Sequence, residues 1–258
     1  MNLNLNDKYF LVIGASRGFG RAIAEALIAE GAKVLAVART AEKLEELKAM
    51  APDQVEYIAV DVTIPLEQER MLNFVGPYDI SGAVINAGGP PAKTAMEAKL
   101  IDWDNAYKNL IRWKIRIAKK LAIRFMSLGY GRILFIESIS AKQPIENMAL
   151  SNAFRAAMVG YVKTLSQEVG NKGLTMNVLA PGYHDTDALD RVVKKKATKR
   201  KISARDAKKG MLEETPTGKI GDPKQFASLA LWLLSEHSAY VTGQTISVDG
   251  GATKGIFG

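Results

Sequence analysis

No cysteine occurs anywhere in the 258 residues, which excludes disulfides, thiolate metal sites and thiol nucleophiles together. Long apolar runs are missing as well, and no stretch approaches the length needed to span a bilayer. The polar start from Met1 to Tyr9 leads directly into an apolar run, without the basic, apolar and small-residue regions of a signal peptide. A cytoplasmic protein without a membrane partner is the expectation. The hydrophobic share of 47% and the charged share of 24% are those of an ordinary globule, so a disordered or fibrous chain is not indicated. No linker-like tract or internal repeat interrupts residues 1–258, which implies a single domain of a size that α/β folds commonly reach.

The net charge of +8 is confined to one place. Between Asp190 and Lys209 there are ten Lys and Arg (Arg191, Lys194, Lys195, Lys196, Lys199, Arg200, Lys201, Arg205, Lys208 and Lys209) against Asp190 and Asp206. That excess equals the charge of the whole chain, so everything outside it balances. A nucleic-acid partner is therefore not favoured.

The pattern along the chain alternates short apolar runs with helix-forming stretches. Strands are predicted at Tyr9 to Ile13, Lys33 to Ala38, Val55 to Val60, Ile80 to Ile85, Gly131 to Ile136, Leu174 to Leu179 and Gln244 to Val248. Helices are predicted at Arg21 to Ala29, Glu42 to Met50, Leu66 to Phe74, Trp103 to Met126 as one long element, Leu150 to Val169 and Pro223 to Leu234. Such βαβ alternation implies an α/β fold of the doubly wound Rossmann type, with a parallel sheet covered by helices on both faces.

The first strand runs into Gly14-Ala15-Ser16-Arg17-Gly18-Phe19-Gly20 and then a helix. Glycines there allow a tight turn and a close approach to a pyrophosphate, and the helix N-terminus favours the anion. An acid at the end of the second strand would bind the ribose 2′-hydroxyl of NAD, but Ala38 and Arg39 stand there. Arg17 and Arg39 together suit a 2′-phosphate, so NADP(H) is expected in preference to NAD(H).

The Gly-x-x-x-Gly-x-Gly spacing resembles that of the short-chain dehydrogenase/reductase family. The resemblance continues through Asp61-Val62, Asn86-Ala87-Gly88-Gly89, Gly131-Arg132-Ile133, Asn177 to Gly182, Tyr240 to Gly243 and Asp249-Gly250-Gly251. Within the family the chain is most similar to the 3-oxoacyl-acyl-carrier-protein reductase-like members. The resemblance implies that Gly14, Ser16, Arg17, Gly18, Phe19, Gly20 and Arg39 cradle the cofactor and that Asp61 and Val62 meet the adenine. It also implies that Asn86, Ala87 and Gly88 line the cleft, that Pro181 and Gly182 form the nicotinamide wall, and that Thr186 reaches the carboxamide. A homodimer or homotetramer is implied too, and Trp113, Ile117 and Leu121 at helical spacing are candidates for its interface. Residues 185–215 fall where the family carries a substrate lid. A basic lid suits an anionic substrate, either a small molecule or one bound to a carrier such as acyl carrier protein or coenzyme A.

The family's catalytic serine is present as Ser138, but its tyrosine, lysine and asparagine positions hold Ser151, Arg155 and Leu110. A serine hydroxyl is a far weaker acid than a phenol, whose pKa is about 10. Arg155 retains the positive charge and the ability to bind ribose hydroxyls, but it does not give up a proton near neutrality. His184, after Pro181-Gly182, and Glu137, beside Ser138, are candidate replacements for the missing acid. No metal site is expected. Two readings stay open: an NADP(H)-dependent oxidoreductase acting on a carbonyl or alcohol with atypical acid catalysis, or a cofactor-binding pseudoenzyme with a structural or redox-sensing role.

Overall fold

A computed structural model describes residues 1–256. Seven parallel strands, β1 (Tyr9–Ile13), β2 (Lys33–Ala38), β3 (Val55–Ala59), β4 (Ile80–Asn86), β5 (Gly131–Ile136), β6 (Leu174–Pro181) and β7 (Thr245–Val248), form one sheet in the order β3-β2-β1-β4-β5-β6-β7. The order reverses direction between β1 and β4. In such sheets the strands' carboxyl ends at that reversal leave a crevice for a ligand.

Both faces of the sheet are covered, which is why the central strands are nearly continuous apolar runs. On one face α1 (Gly18–Ala29), α2 (Ala41–Met50) and α9 (Pro223–Leu234) bury Ile23, Leu27, Leu44, Leu47 and Phe226. On the other, α3 (Pro65–Val75), α5 (Trp113–Leu128) and α6 (Ala149–Val169) bury Met71, Ile117, Phe125, Met158 and Val162. Local signals fix several helix ends. Pro223 opens α9 behind Asp222, whose carboxylate accepts from Lys224 N at 2.8 Å, and Gly129 ends α5 in the left-handed region at φ +66.

The structure corrects two expectations. The helix expected from Trp103 to Met126 is divided: α4 (Leu100–Tyr107) and α5 are joined by a π-helical turn, Lys108–Arg112. The wider i→i+5 winding shifts the faces of everything after it. Trp113, Ile117 and Leu121 are buried against the chain's own sheet rather than presented to a partner. The basic segment forms a helical hairpin, α7 (Asp187–Arg200) and α8 (Ala204–Glu213). It is closed around Leu189, Val193, Ala197, Ala207 and Met211, and most of its cations are exposed.

Candidate active site

The glycine turn is closed against β4 at the switch point. A Cβ on Gly14, which has φ +82, would stand 2.7 Å from Asn86 Nδ2, and one on Gly20 would stand 2.2 Å from Gly14 O. Both positions therefore require glycine, one for backbone conformation and close approach, the other for close approach alone. No side chain caps α1 at Arg17 and no acid occupies its first turn. Its leading N–H groups are thus available to an anion, which is the arrangement a pyrophosphate needs. Phe19 is turned away from this edge and packs against Phe226, with ring centroids 4.3 Å apart. Thr186 lies across the turn, 3.9 Å from the place a Gly18 Cβ would occupy.

Arg39 and Asp61 meet in an open depression of about 400 Å³ bordered by Ala59, Val60, Ile64, Leu66 and Glu67. Asp61 is held there by Thr63, which donates to its Oδ1 from backbone N at 2.9 Å and from Oγ1 at 2.7 Å. Arg39 is exposed on this rim, and Arg17 is exposed beside the lid, where its Nη1 lies 3.8 Å from Asp187. Arg39 and Asp61 thus border one depression, while Arg17 lies beside the lid and not in the lining of that depression. Gly88 has open space where a side chain would be, and Gly182 is pressed against Asp249, with 2.7 Å from a virtual Cβ to Asp249 Cβ.

The positions expected to be catalytic form a polar chain that runs from half-buried Ser138 into the interior. Ser138, just beyond β5, accepts from Ser140 N at 3.1 Å, and Ser140 Oγ lies 3.1 Å from Ser151 Oγ. Arg155 Nε donates to Ser151 Oγ at 3.3 Å, and its Nη1 donates to Glu137 at 2.9 Å. Ser151 and Arg155 are one helical turn apart on α6, which places both on one face. Behind them, Lys114 Nζ donates to the other oxygen of Glu137 at 2.5 Å. The Lys114 and Glu137 side chains are entirely inaccessible. Burial holds the Lys114 pKa below the usual lysine range, the Arg155 charge adds to that, and Glu137 opposes it.

His184 does not join this group. Its ring packs edge-on to Phe19 and Phe226, with centroids 5.0 and 5.5 Å away, and its hydrogen-bond partner is Gly182 O at 3.3 Å. Gly221 permits this packing, since a Cβ there would stand 2.6 Å from the ring. Burial pushes the His184 pKa down. None of its contacts is with Ser138, Ser151 or Arg155, so the structure places it in a packed aromatic cluster. Leu110, at the asparagine position, is buried in the core, while Asn109 is exposed and its carbonyl accepts from Trp113 Nε1 at 2.8 Å.

Two members of the site escaped the sequence reasoning, Lys114 and Ser140. The signal for Lys114 was a single cation on the apolar stripe of α5, four residues after Leu110 and four before Ala118. Among the described residues there is no cluster of His, Cys, Asp and Glu able to hold a metal, and no helix is long and apolar enough to cross a membrane.

The family model described as Enoyl-(Acyl carrier protein) reductase matches residues 14–253. The chain belongs to the short-chain dehydrogenase/reductase family. It is 31% identical to the 3-oxoacyl-[acyl-carrier-protein] reductase of Escherichia coli (strain K12), over 96% of this chain and 98% of the relative. It is 27% identical to the enzyme of the same name from Aquifex aeolicus (strain VF5), over 97% and 99%. Among solved structures, L-sorbose reductase from Gluconobacter frateurii, complexed with NADPH and L-sorbose, superposes with a TM-score of 0.92 at 28% identity, covering 99% of this chain and all of that one. The actinorhodin polyketide ketoreductase with NADPH gives 0.91 at 26% identity, over 96% and 98%.

Proposed function

We propose that this family member is an NADP(H)-dependent reductase of a carbonyl group on an acyl chain attached to an anionic carrier, with Ser138, Ser151 and Arg155 at the reacting oxygen. The observation that carries this reading is the arrangement of Arg155. Its Nε engages Ser151 while its Nη2 has no hydrogen-bond partner among the described residues and lies near Gly89, 3.9 Å from the place a Cβ there would occupy. A guanidinium edge beside an ordered hydroxyl is suited to an oxygen that gains negative charge.

Gly14, Gly18 and the uncapped start of α1 would hold the pyrophosphate, and Arg39 with Arg17 the 2′-phosphate. Thr186, Pro181 and Gly182 would border the nicotinamide end. A bound reduced nicotinamide supplies hydride to the carbonyl carbon. Ser138 and Ser151 orient the carbonyl oxygen by donating to it, since Ser138 Oγ already accepts from Ser140 N and keeps its own proton free. Arg155 stabilises the developing oxyanion and keeps its charge, because a guanidinium does not give up a proton near neutrality. Solvent reaching Ser138, the less buried of the two serines, supplies the proton that completes the alcohol.

The L-sorbose reductase and the actinorhodin polyketide ketoreductase, both solved with NADPH, support the cofactor, and the 3-oxoacyl-acyl-carrier-protein reductases support the carbonyl class. The cationic outer face of α7 and α8 supports an anionic carrier. The test is NADPH oxidation across a panel of 3-oxoacyl thioesters and polyol-type ketones, with NADPH binding measured separately by fluorescence. Turnover on the thioesters is expected, with at least about tenfold loss in Ser151→Ala. Tight NADPH binding without turnover on any carbonyl would instead identify a cofactor-binding protein.

A further inference from the structure

The buried charges behind the site do not balance. Lys114 and Arg155 carry two positive charges, Glu137 carries one negative charge, and all three are shielded from solvent. The charged groups that face Lys114 are Glu137, from the end of β5, and Arg155, from α6. Each oxygen of Glu137 is already bound by one of the two cations, so the carboxylate is divided between them.

We infer that Lys114 is a positioning residue of the reduction site: by occupying and neutralising Glu137 from behind, it leaves the positive charge of Arg155 uncompensated toward Ser151 and the cleft. The inference rests on the reading of Ser151 and Arg155 as the oxyanion site.

The physical reason lies in the low polarisability of the surroundings. Lys114 follows the π-helical turn and sits among Leu110, Ile111, Ile117 and Ala118, where charges interact far more strongly than in water. An Arg155–Glu137 pair alone would be neutral and a poor stabiliser of an oxyanion. Adding Lys114 restores one net positive charge, and only Arg155 has an edge facing the cleft. A developing negative charge on the substrate oxygen is the counter-ion that the triad lacks. Burial keeps the Lys114 pKa below the usual range, so the triad loses its surplus charge as pH rises through that lowered value.

The test is a pair of variants with two independent readouts. Lys114→Met makes the site neutral, and the double variant Lys114→Met/Glu137→Gln restores a net charge of +1 on Arg155 alone. With a 3-oxoacyl thioester and NADPH, kcat should fall about tenfold or more in the single variant, equivalent to about 1.4 kcal/mol. The KM for NADPH should stay within about twofold, and the double variant should recover most of kcat. The wild-type decline of kcat at alkaline pH should be absent from both variants.

The second readout needs no turnover: binding of acetate against its neutral isostere acetamide, by calorimetry on the full chain. Acetate should be preferred about tenfold in the wild type and in the double variant, and not in the single variant. A single variant with unchanged kcat, or a double variant no better than the single, overturns the inference. So does a wild type without acetate preference. Acetate preference that follows this pattern without any carbonyl turnover would remove the proposed reductase activity and leave the charge arrangement standing. Should the single variant fail to fold, the double variant still decides, because its acetate preference must equal that of the wild type.

Discussion

Arg155 Nη1 donates to Glu137 at 2.9 Å while Arg155 Nε donates to Ser151 at 3.3 Å, so one guanidinium links the end of β5 to the face of α6 that lines the cleft. Fork geometry makes this possible, since the donors of arginine diverge from a rigid plane and reach two acceptors at once. A lysine at the same position offers one compact point of attachment.

That link gives a stability prediction. Glu137→Leu removes the shared counter-ion of two buried cations, and leaving a buried charge unpaired costs about 3–5 kcal/mol. Urea denaturation should show a loss of that order. A loss below about 1 kcal/mol would mean that water reaches the triad and relieves it.

The cofactor preference is expected to depend on Arg39. With no acid at Ala38 and Arg39 on the rim of the Asp61 depression, Arg39→Ala should weaken NADPH binding about tenfold and NADH binding little, because one charge-assisted hydrogen bond contributes about 1.5–3 kcal/mol. Dissociation constants for both cofactors check this. A wild type that favours NADH would overturn the assignment.

His184→Phe is expected to preserve turnover within about threefold and to cost less than about 1.5 kcal/mol, since it replaces one ring by another of similar volume between Phe19 and Phe226. A large loss of kcat with normal stability would instead make His184 a catalytic group. The pH dependence follows from the lowered pKa. The unfolded state binds the His184 proton more tightly, so this contribution to stability is complete above the ordinary histidine value of 6.5 and is lost as pH falls toward the lowered one. Melting temperatures of the Phe variant should decline less over that acidic interval.

Nine of the ten lid cations fall into two sets, and Lys209 lies 4.0 Å from Glu213 one turn on in α8. Lys195 reaches Ala92 O at 2.5 Å, Lys196 lies 2.9 Å from Glu214, Lys199 binds Asn147, and Arg200 lies 3.7 Å from Glu146. Lys195, Lys199 and Arg200 tie the hairpin to Ala92 and to Glu146 and Asn147, while Lys196 closes it on itself at the end of α8. Arg191, Lys194, Lys201, Arg205 and Lys208 are exposed and have no hydrogen bond or ion pair from their cationic groups among the described residues. Neutralising that second set should weaken acyl-carrier or coenzyme A thioester binding about tenfold at low salt and leave NADPH affinity unchanged, with the difference shrinking as ionic strength rises. Equal binding by the variant would reduce these cations to ordinary solvated surface.

Assembly into a homodimer or homotetramer is expected, but not through Trp113, Ile117 and Leu121, which are buried within the chain. Leu100, Ile101 and Tyr107 on α4 remain exposed. Sedimentation of Ile101→Lys should show dissociation if that face is used, whereas a wild type that is monomeric at micromolar concentration would end the expectation.

Periodicity and glycine placement carried most of the architecture. The seven apolar runs predicted the seven strands to within a residue or two at their ends, because strands buried on both faces must be apolar throughout. Gly14, Gly18 and Gly20 marked the turn after β1, because Gly14 and Gly18 take positive φ and Gly14 and Gly20 have no room for a side chain. The π-helical turn at Lys108–Arg112 left no such mark. One added residue per turn changes no residue type, yet it redirects every side chain after it.

The order of motifs along the chain determined by itself the parallel sheet, the glycine turn after β1 and the replacement of the family's usual phenol and ammonium by Ser151 and Arg155. Only the tertiary structure decided what surrounds those replacements. Glu137 lay beside Ser138 in the sequence without a partner, and Lys114, twenty-three residues earlier, read as a lone cation in an apolar stripe. Folding β5 between α5 and α6 brought both cations onto one carboxylate. It also sent His184, which the sequence set near the site, into an aromatic cluster instead. The physical reason is that charge balance and burial depend on distances between elements far apart in the chain, and no local pattern encodes those distances.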